Sequence, residues 1–220
     1  MKKERPAVTI ENIKRAHAER RDEIRARLQE FADIHREGND RKLWEEMVFC
    51  FFTGGCSARM GMNALDAVRE RLMHADQPEL AALLRGAHRY PNARSRYIVA
   101  SRAFLDQSLS MRLREKLESF DCSHERRDWL VKEKGIKGLG YKEASHYLRN
   151  IGYRGYAILD KHVLNCLVEL KIIDEAKPPN TRAKYLSTEN KLRQLTDATG
   201  IDFDELDLVL WSMKTGVILK

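Results

Sequence analysis

The chain has 220 residues, 43% hydrophobic and 33% charged, with 40 Lys and Arg against 33 Asp and Glu for a formal charge of +7. This suits one large domain or two small helical lobes with a charged surface, and the basic balance favours phosphate-bearing partners, although a merely basic soluble protein fits the charge equally well. No apolar run approaches the ~20 residues of a membrane span, no apolar segment follows the basic start as a secretory signal would require, and Cys50, Cys56, Cys122 and Cys166 are too scattered for a disulfide framework or a zinc ligand set, so reduced thiols and an intracellular protein are expected.

In chain order, Ile10, Ile13, Ala16, Ile24, Leu28, Phe31 and Ile34 fall at three- and four-residue spacing and predict an amphipathic helix over 9–36. Gly38-Asn39-Asp40 breaks it. The next helix, from about Asp40 to Thr53-Gly54-Gly55, carries the run MVFCFF, which is apolar on every side and belongs at the centre of the core. Further helices are expected at 57–73, 77–85, 93–107 and 111–119, with Pro91-Asn92 as a turn, and then at 124–134, ending at Gly135. A helix from Tyr141 to about Asn150 follows Gly138 and Gly140, a loop spans 152–157, and helices near 160–171, 181–199 and 203–214 complete the chain. Pro178-Pro179-Asn180 is the clearest linker. The expected fold class is all-α: two helical lobes flanking a cleft, with a helix-hairpin-helix motif at about 125–150. One lobe is expected over about 45–160, and the other from the N-terminal helix with about 161–220.

The stretch WLVKEKGIKGLGYKEASHYLRNIGYRGYAILDKHV, residues 129–163, holds the chemistry. Two glycines two positions apart allow a tight turn with positive φ and leave the backbone uncovered. The helix that follows offers free N–H groups at its start, where an anion binds. A phosphate backbone can be gripped there without any reading of bases. Such a pair of glycines also occurs in ordinary turns between helices. On the helix itself, Tyr141, Ala144, Leu148 and Ile151 share an inward face, while Lys142, Ser145, His146 and Arg149 form a polar face suited to the border of a cleft.

IKGLGYKEASHYLRNIG followed by ILDKHVL resembles the helix-hairpin-helix glycosylase superfamily, and within it the archaeal and bacterial second class of 8-oxoguanine DNA glycosylase/AP lyase. EEMVFCFFT, HRYPNARSRYI and LDLVLW with a terminal Lys extend the likeness over most of the chain. The resemblance implies that Lys142 is the nucleophile and Asp160 the essential carboxylate. It also implies that Trp211 and the terminal Lys220 serve base recognition. Ile136, Gly138 and Gly140 would hold the DNA backbone, and Asn92 or Arg94 would probe the strand where a nucleotide is extruded. The implied partner is double-stranded DNA containing 8-oxoguanine, bound by a monomer that acts on no membrane.

The residue types suit that chemistry. A neutral lysine amine attacks the sugar C1′, a Schiff base forms, and β-elimination cuts the strand. Lysine is ordinarily protonated at neutral pH, so partial burial, the helix N-terminus and nearby Arg or Lys are expected to lower its proton affinity. A carboxylate stabilises positive charge developing on the sugar, and an aromatic face receives an extruded base. On residue type alone Lys142 is as well read as a solvated helix lysine, and Asp160 as a plain N-cap. Thr53-Gly54-Gly55 stands where the resembled class often has Thr-Ala-Asn, so no side-chain amide is available there. The four-cysteine pattern of an iron–sulfur cluster is not present in the sequence, and no metal or other cofactor is expected. Excision of a different damaged base, or DNA binding without catalysis, are the alternative readings.

Overall fold

The structure, a computed structural model, describes residues 7–219. Among these residues it is built of helices and their connections, without strands. Eleven α-helices follow in order: α1 (Ile10–Glu37), α2 (Asp40–Thr53), α3 (Ala58–Val68), α4 (Gln77–Leu84), α5 (Pro91–Leu109), α6 (Leu113–Glu118), α7 (Ser123–Lys132), α8 (Tyr141–Asn150), α9 (Lys161–Glu169), α10 (Arg182–Thr199) and α11 (Phe203–Thr215). None of the described helices is long and apolar enough to cross a membrane.

Local chemistry sets most boundaries. Asn39, Ser57, Asp76, Asp160, Thr181 and Asp202 are N-caps whose side chains accept backbone N–H groups of the first turn. Pro91 opens α5 instead of marking a turn before it, because a proline at the first helical position gives up no needed donor. The helix expected over 57–73 stops at Val68 and continues only as a 3₁₀ turn, Arg69–Arg71. The α1 C-terminus is closed from afar: the Arg114 guanidinium donates to the carbonyls of His35 at 2.6 Å and Gly38 at 2.5 Å.

The chain divides into two compact units, one of residues 33–151 and one of residues 1–32 with 152–220. These bounds differ from the expected 45 and 160. The first unit takes in the Asn39 cap and the whole of α2, and the loop after Ile151 is tied to α10 and α11. In the first unit α2 is the central element, packed against α3, α5, α6 and α8. Its residues from Leu43 to Thr53 are all buried, as MVFCFF requires. Each large apolar side chain withdrawn from water in this way contributes about 1.5–3 kcal/mol. In the second unit α9 and α10 both pack on α11, and α1 is tethered to α11 by His17 and Arg25, which reach the two oxygens of Glu205 at 2.5 and 2.8 Å.

Candidate active site

The first unit carries the glycine hairpin. Between α7 and α8 the chain runs through residues 133–140, with Gly138 at φ +79°. The site is tight as well as conformationally demanding: a Cβ on Gly138 would lie 2.5 Å from Cδ2 of Tyr97, and one on Gly135 would lie 2.1 Å from the Phe104 ring. Hairpin amides are already bonded within the protein: Gly135 N–H donates to Glu133 Oε1 at 2.9 Å. Ile136 N–H donates to Glu133 O at 3.1 Å, and Lys137 N–H donates to Ser101 Oγ at 2.9 Å. Ile136 is itself buried, whereas Gly138 and Gly140 are exposed. Gly140 is the N-cap of α8 and has no side chain to satisfy the first-turn amides, so the positive end of the helix opens at an exposed residue.

Lys142 lies in that first turn. Its side chain is one-quarter exposed, and Nζ stands 3.0 Å from Glu143 Oε1. Proximity of Arg or Lys is the expectation from sequence; the partner seen at Nζ is a carboxylate. Glu143 also approaches the α2 terminus, since a Cβ on Gly54 would lie 3.5 Å from its Oε1 and 3.1 Å from Arg94 Nη2. Arg94 donates to the Gly54 carbonyl and covers the rings of Tyr90 and Tyr97 at 5.8 and 5.3 Å. Asn92 is exposed in the first turn of α5.

Beyond Lys142, the polar face of α8 is covered. Ala144 to Asn150 are all buried. Arg127 of α7 donates to Ser145 Oγ at 3.1 Å, His146 meets the Phe49 ring edge-on, and Arg149 donates to Asn150. Asn150 in turn donates to Glu46 of α2 at 3.4 Å. Buried polar groups persist when hydrogen-bonded, and this set fastens the helix that carries Lys142.

His88 braces the start of α5. Its Nε2 lies 3.0 Å from the Phe52 carbonyl, and its Nδ1 lies 3.0 Å from Tyr90 N–H. A carbonyl only accepts and an amide only donates, so the ring is neutral with its proton on Nε2. Burial pushes the imidazole below its ordinary value, the Phe52 carbonyl opposes that, and the charge of Arg94 adds to the lowering.

The second unit carries Asp160 and Trp211. Asp160 is the N-cap of α9, and its Oδ1 accepts both His162 N–H at 2.8 Å and Val163 N–H at 2.9 Å. Trp211, half-buried on α11, meets the His162 ring edge-on at 6.3 Å. His162 was not singled out from sequence; its place two residues after the carboxylate, in the first turn of α9, was the available signal. Lys220 lies outside the described residues.

Among the described residues, no group of three or more His, Cys, Asp or Glu is arranged to hold a metal. Cys50 and Cys166 are buried and Cys122 is exposed.

An all-helical chain in which α7, a tight glycine turn and an uncapped α8 follow one another has a helix-hairpin-helix build. The family model for 8-oxoguanine DNA glycosylase (Ogg-HhH) matches residues 24–201. An 8-oxoguanine DNA glycosylase/AP lyase of Korarchaeum cryptofilum is 40% identical over 201 residues, 91% of either chain. The crystal structure of the Methanocaldococcus jannaschii 8-oxoguanine glycosylase/lyase, in complex with a 15mer DNA containing 8-oxoguanine, superposes with a TM-score of 0.87 at 34% identity, covering 96% of this chain and 99% of that one. That of the Thermotoga maritima 8-oxoguanine DNA glycosylase superposes with a TM-score of 0.86 at 33% identity, covering 96% and 98%. The chain belongs to the 8-oxoguanine DNA glycosylase family of helix-hairpin-helix type.

Proposed function

We propose that the protein is a bifunctional DNA glycosylase and AP lyase of base-excision repair that removes 8-oxoguanine from double-stranded DNA. The observation that carries this reading is Lys142, a partly buried amine in the first turn of an uncapped helix, directly behind an exposed glycine turn. The names of its relatives support it.

In this reading Gly138, Gly140 and the open start of α8 hold a phosphate of the DNA backbone, whereas Ile136 contributes the fold of the hairpin because its amide is already bonded. Lys142 Nζ, once deprotonated and released from Glu143, bonds to C1′. The glycosidic bond breaks and its electron pair leaves with the base, which takes up a proton. Opening of the sugar ring then gives the Schiff base, and loss of a C2′ proton expels the 3′ phosphate. Asp160 supplies negative charge against the cation developing on the sugar. Trp211 offers a face to the extruded base, and Lys220 discriminates 8-oxoguanine from guanine. Asn92 is better suited to probing the strand than Arg94, whose guanidinium is tied to Gly54. The chain acts as a monomer with two helical lobes and needs no metal or cofactor.

Borohydride trapping on an 8-oxoguanine duplex tests the reading. The protein becomes covalently linked to DNA, and Lys142→Gln gives no adduct. Asp160→Asn keeps the cap, since asparagine caps helices as well as aspartate, and keeps duplex affinity while excision falls sharply. Absence of both adduct and strand cleavage with the unaltered protein overturns the proposal.

A further inference from the structure

Asp160 is delivered by the strap between α8 and α9, in which Tyr156, Ala157, Ile158 and Leu159 are all buried. Buried backbone groups need partners, and this strap finds them on side chains of the following helices. Gly155 N–H donates to Asp204 Oδ1 at 2.8 Å, and Ile158 N–H donates to Asp207 Oδ1 at 3.2 Å, both on α11. On α10, Glu189 Oε1 accepts Ala157 N–H at 3.1 Å, and the Tyr185 hydroxyl donates to Ala157 O at 2.7 Å. The same hydroxyl also accepts Leu159 N–H at 3.5 Å.

Tyr185 and Glu189 are one turn apart on one face of α10, and both are buried. Together they hold the donor and the acceptor of a single residue, three positions before Asp160. From there the chain has little freedom: Ile158 and Leu159 are buried, Asp160 N–H returns to Ile158 O at 2.8 Å, and Asp160 Oδ1 is fixed by two amides of α9. Burying a carboxylate and a phenol is costly unless each makes good hydrogen bonds, and here they meet the two backbone groups of Ala157, which an apolar face would leave unpaired. What this polar pair adds is a fixed backbone position.

We propose that Tyr185 and Glu189 are positioning residues for Asp160, setting the place of its carboxylate during excision by clamping Ala157. The inference rests on the role of Asp160 given above. Catalytic constellations work within about 0.5 Å, and a displacement of about 1 Å costs on the order of 100-fold in rate.

The test is the single-turnover excision rate on saturating 8-oxoguanine duplex, together with affinity for a duplex holding an uncleavable abasic analogue. Tyr185→Phe keeps the ring and removes the hydroxyl, Glu189→Leu removes the acceptor, and Glu189→Gln retains an oxygen that can receive the amide. Tyr185→Phe and Glu189→Leu are expected to slow excision roughly 10- to 100-fold at unchanged affinity, with Glu189→Gln within about threefold of the unaltered protein. Added to Asp160→Asn, Tyr185→Phe should cause no further loss, because residues acting through one group are not additive. An excision rate for Tyr185→Phe equal to that of the unaltered protein, or the same fold-loss with and without Asp160→Asn, overturns the clamp. If Tyr185→Phe does not fold, the contrast between Glu189→Leu and Glu189→Gln decides: equal rates overturn the clamp, and loss with rescue supports it. Full activity of Asp160→Asn overturns the role of Asp160 instead, and the clamp with it.

Discussion

Gly138→Ala separates two costs that meet in the hairpin. The first is conformational, since at φ +79° an L-residue is disfavoured by about 1–2 kcal/mol. The second is steric, since the new methyl would arrive 2.5 Å from Tyr97 Cδ2 and 2.8 Å from Cε2, so the ring must move. Overpacking of this kind costs about 1–3 kcal/mol. Gly86 supplies the reference: it lies in the same unit at φ +85°, and a Cβ there meets nothing within 4 Å. Gly86→Ala therefore carries the conformational cost alone, along with the same gain from a stiffer unfolded chain. Subtracting the two leaves the Tyr97 contribution. Urea unfolding followed by circular dichroism should place Gly138→Ala below Gly86→Ala by about 1–3 kcal/mol. In a Tyr97→Ala background the difference should close, as expected for residues in direct contact. Equal midpoints for the two single variants would refute the idea that the Tyr97 ring sets the hairpin's tolerance.

Three further outcomes follow from the chemistry of particular side chains. His88 takes up a proton near pH 6.5 when unfolded but only at lower pH when folded, so its stabilising contribution is complete above that value and declines as pH falls through it. Unfolding free energy measured from pH 7.5 to 5 should decrease, and His88→Gln should flatten the slope; an unchanged slope counts against the buried neutral ring. Burial pushes Glu205 up, but the hydrogen bonds from Arg25 and His17 outweigh it and hold the carboxyl below its ordinary value. Its contribution is present above the unfolded carboxylate range and lost as pH falls through the folded value, so Glu205→Gln should lower Tm by roughly 3–6 °C at pH 7 and by progressively less as the pH falls below the ordinary carboxylate range. Burial pushes the Cys166 thiol up to about 12, so a thiol reagent at pH 8 should modify exposed Cys122 within minutes and reach Cys50 and Cys166 only after denaturation. Prompt labelling of Cys166 in the folded protein contradicts its burial.

Much of this is legible in the sequence. MVFCFF announced a helix buried on every side, and α2 is that helix. The glycines before Tyr141 and the break after Asn150 gave the bounds of α8, because both signals are local. Periodicity failed on the second face of the same helix. It identified Ser145, His146 and Arg149 as one polar stripe but not that α7 and α2 would bring Arg127, Glu46 and Phe49 to that helix. Glu143 was visible beside Lys142, yet adjacency in sequence does not say that the two side chains meet. Tyr185 and Glu189 gave still less warning. Their partner lies 28 and 32 residues back along the chain, in a segment without periodicity, and a tyrosine four residues before a glutamate is an ordinary helical pairing.

The double use of Asp160 Oδ1 by the amides of His162 and Val163 restricts which replacements this position can tolerate, and divides them by what is selected. Asparagine and serine start a helix about as well as aspartate, so a library sorted only for folded, soluble protein would accept them freely. Neither carries a charge, so on the role proposed for Asp160 a library sorted for repair of damaged DNA would discard both. Glutamate keeps the charge, but its longer arm loses the register with those two amides. On that proposed role the position has a single solution under both selections at once, and a replacement there would separate a stable fold from repair.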